Sequence, residues 1–413
     1  MLTLAIDTSC DETSAAVVCG LEIWSNVISS QVELHKPYGG VFPTVAKQAH
    51  KENIKPTVEL ALKRAGVSLT DIDEIAVTVG PGLAPALEVG INYAHTLSRQ
   101  RHKPIRPANH MEGHILSVLA FPKRKQSRQT LKIHKQQAQN RTQTKLQQVR
   151  LPALAVLVSG GHTEFILIQD SKSNAISSDR PKHYSHKEVG SWNNNLRGFE
   201  SQLNKAKRVQ NDSGVIDRAP RLTIEQLNSG AFTYTKLGQT LDDAAGEALD
   251  KIGRMLGLGY PAGPVIEEFA KYGNANKYPM PLPMTMTKNY NLSFSGMKTH
   301  TRNLIENILK KKDQKTLTKQ EIYDLAASIQ FGVFRHILYK LNKILLDFPE
   351  IEEVWLGGGV AANMTLRKMI RKQLKEIQNQ KLKTLNSKLT LRTPYSKRLC
   401  GDNAAMVGVS NNK

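Results

Sequence analysis

Apolar and polar positions fall into blocks whose period changes along the chain. Leu2 to Asp7 is an apolar run, Thr8 to Thr13 a small polar turn, and Ala15 to Val18 apolar again, which predicts a β-hairpin or short meander within residues 1–30. From about Thr44 the period shifts. Val45, Ile54, Val58, Leu60, Ala61 and Leu62 supply the stripe of a helix that reaches Ala65 and ends at Gly66. Ile72 to Val79 reads as a strand running into Gly80-Pro81-Gly82, and a second helix covers roughly Ala86 to Gln100. Strands alternating with helices in this way predict an α/β layer fold.

The opening design then returns. Leu151 to Val158, the turn Ser159-Gly160-Gly161-His162 and Thr163 to Ile168 form a second hairpin of the same kind, the start of a second lobe. Helices are expected at about 240–256, 264–272, 297–310 and 319–346. A strand from Glu353 to Leu356 ends in Gly357-Gly358-Gly359, and another from Leu389 to Thr393 leads to Cys400-Gly401-Asp402-Asn403. Two stretches break the rhythm. Residues 121–150 are rich in Gln, Lys and Arg and nearly free of large apolar side chains, so a disordered basic insertion is expected there. Residues 171–229 form an irregular insertion with Trp192 and Phe199 as isolated anchors. The expected organisation is a first lobe over 1–120, completed by about 395–413, and a second lobe over 151–394.

Charge adds a partner to this picture. The 413 residues carry a net charge of +21, and nearly all of the excess lies in two segments. Lys123 to Arg150 holds nine basic residues and no acid, and Leu366 to Arg398 holds eleven with one acid, Glu376. Such clustering points to a polyanion, nucleic acid first, against the plain alternative of a solvated surface. No apolar run approaches the ~18 residues of a membrane span, and the N-terminus enters a strand with no targeting pattern. Cys10, Cys19 and Cys400 are too scattered for a disulfide framework, so a reducing cytoplasm is the expected location.

Candidate chemistry centres on His110-Met111-Glu112-Gly113-His114. Two imidazoles four residues apart on a helix lie about 40° apart around its axis and can reach one metal ion, against the plainer alternative of two half-buried structural histidines. The apolar segment before them places the pair where a strand hands over to a helix. Asp402 reads either as a helix cap or as the carboxylate completing a two-His, one-carboxylate set that leaves positions open for substrate. Small-residue turns at Thr8-Ser9-Cys10, Ser159-Gly160-Gly161 and Gly357-Gly358-Gly359 each follow an apolar strand, where backbone N–H groups can meet phosphate oxygens; each alone reads equally as a tight turn, and the three together favour a nucleotide held between two lobes. Neither a dinucleotide fingerprint nor a P-loop is present. Asp243, Glu247 and Asp250 have the spacing of one helical face, either solvated or available to ribose hydroxyls.

In order, these motifs resemble the TsaD family: Ile6 to Thr13, Gly80 to Leu83, His110 to His114, Leu157 to Thr163, Asp242 to Asp250, Gly259 to Pro264, Ser293 to Thr299, Gly358 to Asn363 and Cys400 to Asn403. That family comprises tRNA N6-adenosine threonylcarbamoyltransferases, formerly described as O-sialoglycoprotein endopeptidases. The resemblance implies the actin-like ATPase fold, two lobes with mixed sheets and a nucleotide in the cleft between them. It implies that His110, His114 and Asp402 hold one divalent metal per subunit, iron(II) first, with zinc or magnesium as alternatives. Leu157, Val158, Ser159, Gly160, Gly161, Asp250, Gly263 and Asn363 would bind threonylcarbamoyl-AMP, and Ser9, Cys10, Asp11 and Glu12 would flank its reacting carbonyl. The implied reaction moves the threonylcarbamoyl group to N6 of the adenosine 3′-adjacent to the anticodon, in tRNAs reading codons that begin with A, and releases AMP. Asp11 or Glu12 is the expected proton acceptor. Implied partners are tRNA, a homologous actin-like subunit, an ATPase subunit and the synthase that makes the adenylate.

The chain departs from the pattern in places. Asn109 stands where the family often has a histidine, Pro85 and Glu88 interrupt a helix start, both insertions are atypical, and the sequence stops soon after Gly408, short of the usual C-terminal strand. Two other functions compete with this one. A metalloprotease needs His-Glu-x-x-His, but Met111 follows the first histidine and Glu112 projects roughly 160–200° away from the imidazoles. A nucleotide-dependent RNA-binding scaffold of the same fold, without transferase activity, is the second alternative. In either RNA reading, residues 123–150 are expected to raise tRNA affinity through phosphate contacts.

Overall fold

The computed structural model describes residues 1–124, 130–170, 232–381 and 389–410. The expected insertion at 171–229, with Trp192 and Phe199, lies outside the described residues, as do 125–129 of the basic one.

The first thirty residues fold as a three-stranded meander of β1 (Leu2–Asp7), β2 (Glu12–Cys19) and β3 (Glu22–Ser30), antiparallel throughout. A short helix α1 (Val32–His35) leads to α2 (Pro43–Ala65), which starts with Pro in its first turn and ends on Gly66 at φ 73°. Then come β4 (Glu74–Gly80), α3 (Ala84–Arg101), β5 (Ile105–Asn109), α4 (His110–Leu116) and the two-residue strand β6 (Phe121–Pro122). The first sheet has the order β5-β4-β1-β2-β3-β6, with β4 parallel to β1 and β5 parallel to β4.

The second sheet repeats this plan. Its strands are β7 (Ala153–Val158), β8 (Thr163–Asp170), β9 (Phe232–Gln239), β10 (Glu353–Gly357) and β11 (Thr390–Arg392), in the order β11-β10-β7-β8-β9. The first three are antiparallel, and β10 and β11 add in parallel, as β4 and β5 do in the first sheet. Strand β9 is absent from the sequence expectation, although Phe232 and Tyr234 alternate with Thr233 and Thr235. The helices of this half are α6 (Ala245–Met255), α7 (Gly263–Phe269), α8 (Ser295–Lys312), α9 (Lys319–Asp347) and α10 (Met364–Lys381). Thr318 and Glu321 close α9 with a reciprocal capping box.

The chain ends on α11 (Ala404–Ser410), buried along its length and packed on β1, β2 and α4. A Cβ on Gly408 would sit 2.5 Å from Val18 and 3.1 Å from Ala5, which is why that helix carries glycine against the sheet. One apolar cluster joins both sheets through α4 and α11, with Ala5, Ala16, Ala153, Ala155, Trp355 and Met406 in it.

The expected disorder of residues 121–150 is wrong for most of that stretch. Residues Leu131–Gln147 form helix α5. Composition counts apolar area, and here a few specific contacts suffice. Ala138 and Thr142 are buried, and Thr142 Oγ accepts the Leu21 N–H at 2.9 Å beside Gly20. Lys135 pairs with Asp73 at 3.0 Å and Arg141 with Glu22 at 2.5 Å. Among the described residues, no helix is long and apolar enough to cross a membrane.

Candidate functional site

Strand β5 delivers the chain to Asn109, whose side-chain oxygen accepts the N–H groups of Met111 (2.9 Å) and Glu112 (3.1 Å). That cap starts α4 at His110, so the departure from the family's histidine has a local structural role. Helix α4 is wedged tightly: a Cβ on Gly357 would lie 2.6 Å from the His114 carbonyl oxygen, and one on Gly113 would lie 3.2 Å from Met406. His110 and His114 are buried, their rings 4.7 Å apart and nearly perpendicular at 83°. Asp402 comes from the turn before α11. Its Oδ1 lies 3.4 Å from His110 Nε2 and 3.1 Å from His114 Nε2. One ligand atom from each of the three residues falls within 4.8 Å of the others, a spread one ion can bridge.

Behind His110, the buried Asp7 Oδ2 stands 3.8 Å from Nδ1, and neither atom has a hydrogen-bond partner. A carboxylate behind an imidazole is the usual way a ligating histidine is oriented. Burial opposes charge on His110, but Asp402, by its charge and hydrogen bond, and Asp7 outweigh it and raise the imidazole to about 9. Asp402 is held well below the usual carboxylate range: burial pushes it up, and the facing His110 and His114 more than reverse that. Two imidazole nitrogens and a carboxylate oxygen gathered at one point form a donor set that fits a divalent metal.

The turn between β1 and β2 faces the same place. Burial raises the Glu12 carboxyl well above its ordinary range, helped by Asp11 and Asp402, and burial with the same acids pushes the Cys10 thiol up. The Ser9 carbonyl accepts the Leu83 N–H at 2.8 Å, and its hydroxyl is buried without a partner. Underneath lies a polar network that sequence reasoning missed. His50 Nε2 donates to the Cys10 carbonyl (3.0 Å), while its Nδ1 accepts from Thr13 Oγ (2.8 Å) and Gln31 Nε2 (3.1 Å). The Gln31 N–H donates to the Asp11 carbonyl (2.9 Å), and Gln31 Oε1 lies 3.2 Å from His35 Nε2. His50 falls among the stripe positions of α2, so nothing in the pattern separates it from an ordinary core residue.

From the second lobe comes the Ser159–His162 turn, closed by the Ser159 N–H to the His162 carbonyl (2.8 Å). The N-terminus of α6 abuts it, with the Gly246 N–H donating to the Ser159 carbonyl (3.1 Å). Gly160, Gly161 and Gly263 have open space where a Cβ would be. Leu157 and Val158 differ: their side chains are buried in separate apolar clusters, so only their backbone is available to a ligand. Asn363 is spent as well, its oxygen capping α10 at Thr365 and Leu366 and its amide donating to Gln330.

The expected three-carboxylate face is not formed. Helix α6 begins at Ala245, so Asp243 precedes it and pairs with Lys251 and Lys298. Glu247 pairs with Lys251 at 2.9 Å and accepts the Ala244 N–H. Asp250 alone turns to the cleft. Its Oδ1 accepts the N–H groups of Ala262 (2.8 Å) and Gly263 (3.1 Å), while burial raises its carboxyl and Asp11 adds to that. Burial raises the Tyr260 hydroxyl, and Asp11, Asp250, Cys10 and Glu12 add to the shift. His162 is lowered by burial, with His110 and His114 among the charges acting on it. The sequence pattern singles out neither, although both stand inside quoted motifs. Glu112 acts on Tyr234 of β9, away from the histidine pair's ligand atoms.

The model of the family described as "TsaD: tRNA N6-adenosine threonylcarbamoyltransferase" matches residues 22–127 and 226–409. The chain belongs to this family. A relative bearing the name tRNA N6-adenosine threonylcarbamoyltransferase from Cyanothece sp. is 36% identical over 410 residues, 98% of this chain and 89% of that protein. One of the same name from Bacillus subtilis is 34% identical over 413 residues, 99% of this chain and 89% of the relative. Among solved structures, full-length HypF in its phosphate- and nucleotide-bound form aligns with a TM-score of 0.45 at 14% identity, over 100% of this chain and 46% of HypF. In this member of the TsaD family, the fold brings Cys10 to Glu12, His110, His114, Asp250 and Asp402 near one another.

Proposed function

We propose that this protein transfers the threonylcarbamoyl group from threonylcarbamoyl-AMP to N6 of the adenosine 3′-adjacent to the anticodon, in tRNAs reading codons that begin with A. One observation carries the reading: Asp402 meets His114 across 288 residues of sequence, and His110 with it, beside the acidic turn at 10–12. In the reaction a bond forms between N6 and the carbonyl carbon, the carbonyl–phosphate oxygen bond breaks, AMP departs with the electron pair, and N6 loses a proton. His110, His114 and Asp402 would hold the metal, iron(II) or zinc, since magnesium prefers oxygen ligands. When bound, the ion supplies polarisation of the carbonyl or charge compensation for the departing phosphate. Asp7 orients the His110 ring. Glu12 or Asp11 accepts the N6 proton, and burial beside Asp11 and Asp402 raises the Glu12 carboxyl above its ordinary range. Gly160, Gly161 and Gly263 let backbone approach the adenylate, and Asp250 holds the Ala262–Gly263 turn in place. A homologous actin-like subunit, an ATPase subunit and the adenylate-forming synthase complete the proposed system, in the cytoplasm.

Incubation with threonine, bicarbonate, ATP, the synthase and unmodified tRNA should yield threonylcarbamoyladenosine by mass spectrometry. Asp11→Ala and Glu12→Ala variants that both transfer at the parent rate would remove the proposed base. Normal modified-nucleoside levels in cells lacking the protein would favour the scaffold reading instead.

A further inference from the structure

The two basic segments have different fates in the fold. Cations of the first are engaged by the protein itself. Lys123 lies 3.9 Å from the Trp24 ring and donates to the Ala65 carbonyl, Lys135 pairs with Asp73, Arg141 pairs with Glu22, and Arg150 reaches Glu352 and Glu353. Parts of the second segment are engaged too. Arg367 is buried against the Ala361 carbonyl and Cys400, and Arg392 binds Glu353.

Lys397 and Arg398 are exposed at the end of the second segment, and a larger group of cations stands on one face of α10. Lys368, Arg371, Lys372 and Lys375 are exposed at spacings of three, four and seven, the spacing of a single helical face. Among the described residues, no carboxylate pairs with Lys368, Arg371 or Lys375, and Lys372 reaches only the exposed Glu376 at 3.9 Å. These four cations line a groove of about 550 Å³ whose apolar wall is Leu374, Leu389 and Leu391. The groove lies along β11, the edge strand of the second sheet. Helix α10 begins next to Asn363, at the end of the glycine turn that follows β10. Lys368 is therefore about 7 Å along the helix from that turn, and Lys375 about 10 Å further.

We infer that this face of α10 is a docking site for the phosphodiester backbone of RNA, which holds the tRNA substrate outside the cleft. The inference rests on the tRNA substrate proposed above. Its physical basis is charge complementarity. Uncompensated lysine and arginine side chains on a fixed helix release counterions when phosphates replace them, and they read no sequence. In the first basic segment, by contrast, Lys123, Lys135, Arg141 and Arg150 are committed to internal partners.

The test is tRNA binding by the full-length protein across a salt series, using an unmodified transcript and a uridine 20-mer. The variant is Lys368→Glu, Arg371→Glu, Lys375→Glu. The control carries the same charge change elsewhere: Lys310→Glu, Lys311→Glu, Lys315→Glu. Expected is a loss of tRNA affinity of at least about tenfold near 0.1 M salt, with the log–log salt slope shallower by roughly 2–3. The 20-mer should lose affinity in parallel, KM for tRNA should rise and kcat should hold. Parent affinity and slope in the variant, or an equal loss in the control, overturns the site. So does loss of poly-glutamate binding with tRNA binding unchanged, which would assign the face to an acidic polypeptide. Should the parent bind tRNA through this face yet never transfer the acyl group, the transferase reading falls and the surface stands. Transfer with a variant that binds tRNA normally gives the reverse.

Discussion

The two lobes place equivalent hairpin turns at the cleft and use them in opposite ways. The β1–β2 turn is acidic and buried, tied down by His50 and Gln31 from below and by Leu83 from the side. Its counterpart between β7 and β8 carries two glycines with open space above them, supported by the N-terminus of α6. One plan of strands thus gives a chemically loaded turn in the first half and a backbone cradle in the second. The difference lies in side chains of a few residues, because strand order and sense are shared.

Removing the metal set should break the comparison most completely. His114→Ala or Asp402→Ala is expected to abolish metal retention, read by elemental analysis of the purified protein, and to cut transfer by at least about 100-fold. The support beneath that set comes next. Asp7→Asn keeps the shape but removes the charge behind His110, so metal affinity should fall by about 10–100-fold with little change in melting temperature. If metal affinity is unchanged, Asp7 does not orient the ring.

The glycine turn makes a finer division. A Cβ on Gly246 would lie 2.6 Å from the Ser159 carbonyl oxygen and 3.0 Å from Gly160. Gly246→Ala should therefore cost about 1–3 kcal/mol in denaturant unfolding, since backbone must shift. Gly160→Ala meets open space and should stay within about 0.5 kcal/mol of the parent while weakening adenylate binding measured by calorimetry. Equal stability losses at both positions would show that the second turn is packed rather than open. The smallest effect is expected from Lys36→Ala, which breaks an exposed pair with Glu33 and should leave stability and transfer unchanged.

Much of this architecture is legible in the residue pattern. The paired hairpins, the strand-to-helix position of His110 and His114, and the helix ending at Gly66 follow from period and turn chemistry, which are local. The pattern misleads where a local rule meets a distant partner. Helix α5 has too little apolar area for composition to favour order, and Thr142, Lys135 and Arg141 find partners on strands and loops more than fifty residues away. Asp243, Glu247 and Asp250 share a spacing but not a role, since the helix starts two residues after Asp243 and lysines claim two of the three. The relay through His35, Gln31 and His50 has no sequence signature, as buried histidines at core positions look alike until their partners are known.

The sequence by itself determined the layered α/β class, the duplicated hairpins, the overall positive charge and the residue types able to bind a metal. Each of these depends on periodicity or on side-chain chemistry alone. Only the tertiary structure decided that Asp402 joins the two imidazoles, that Lys123, Lys135, Arg141 and Arg150 of one basic segment find partners within the protein, and that the other segment leaves a face of α10 to solvent. Those outcomes depend on which groups lie within a few ångströms of one another, and electrostatic pairing falls off with distance in space while sequence records only distance along the chain.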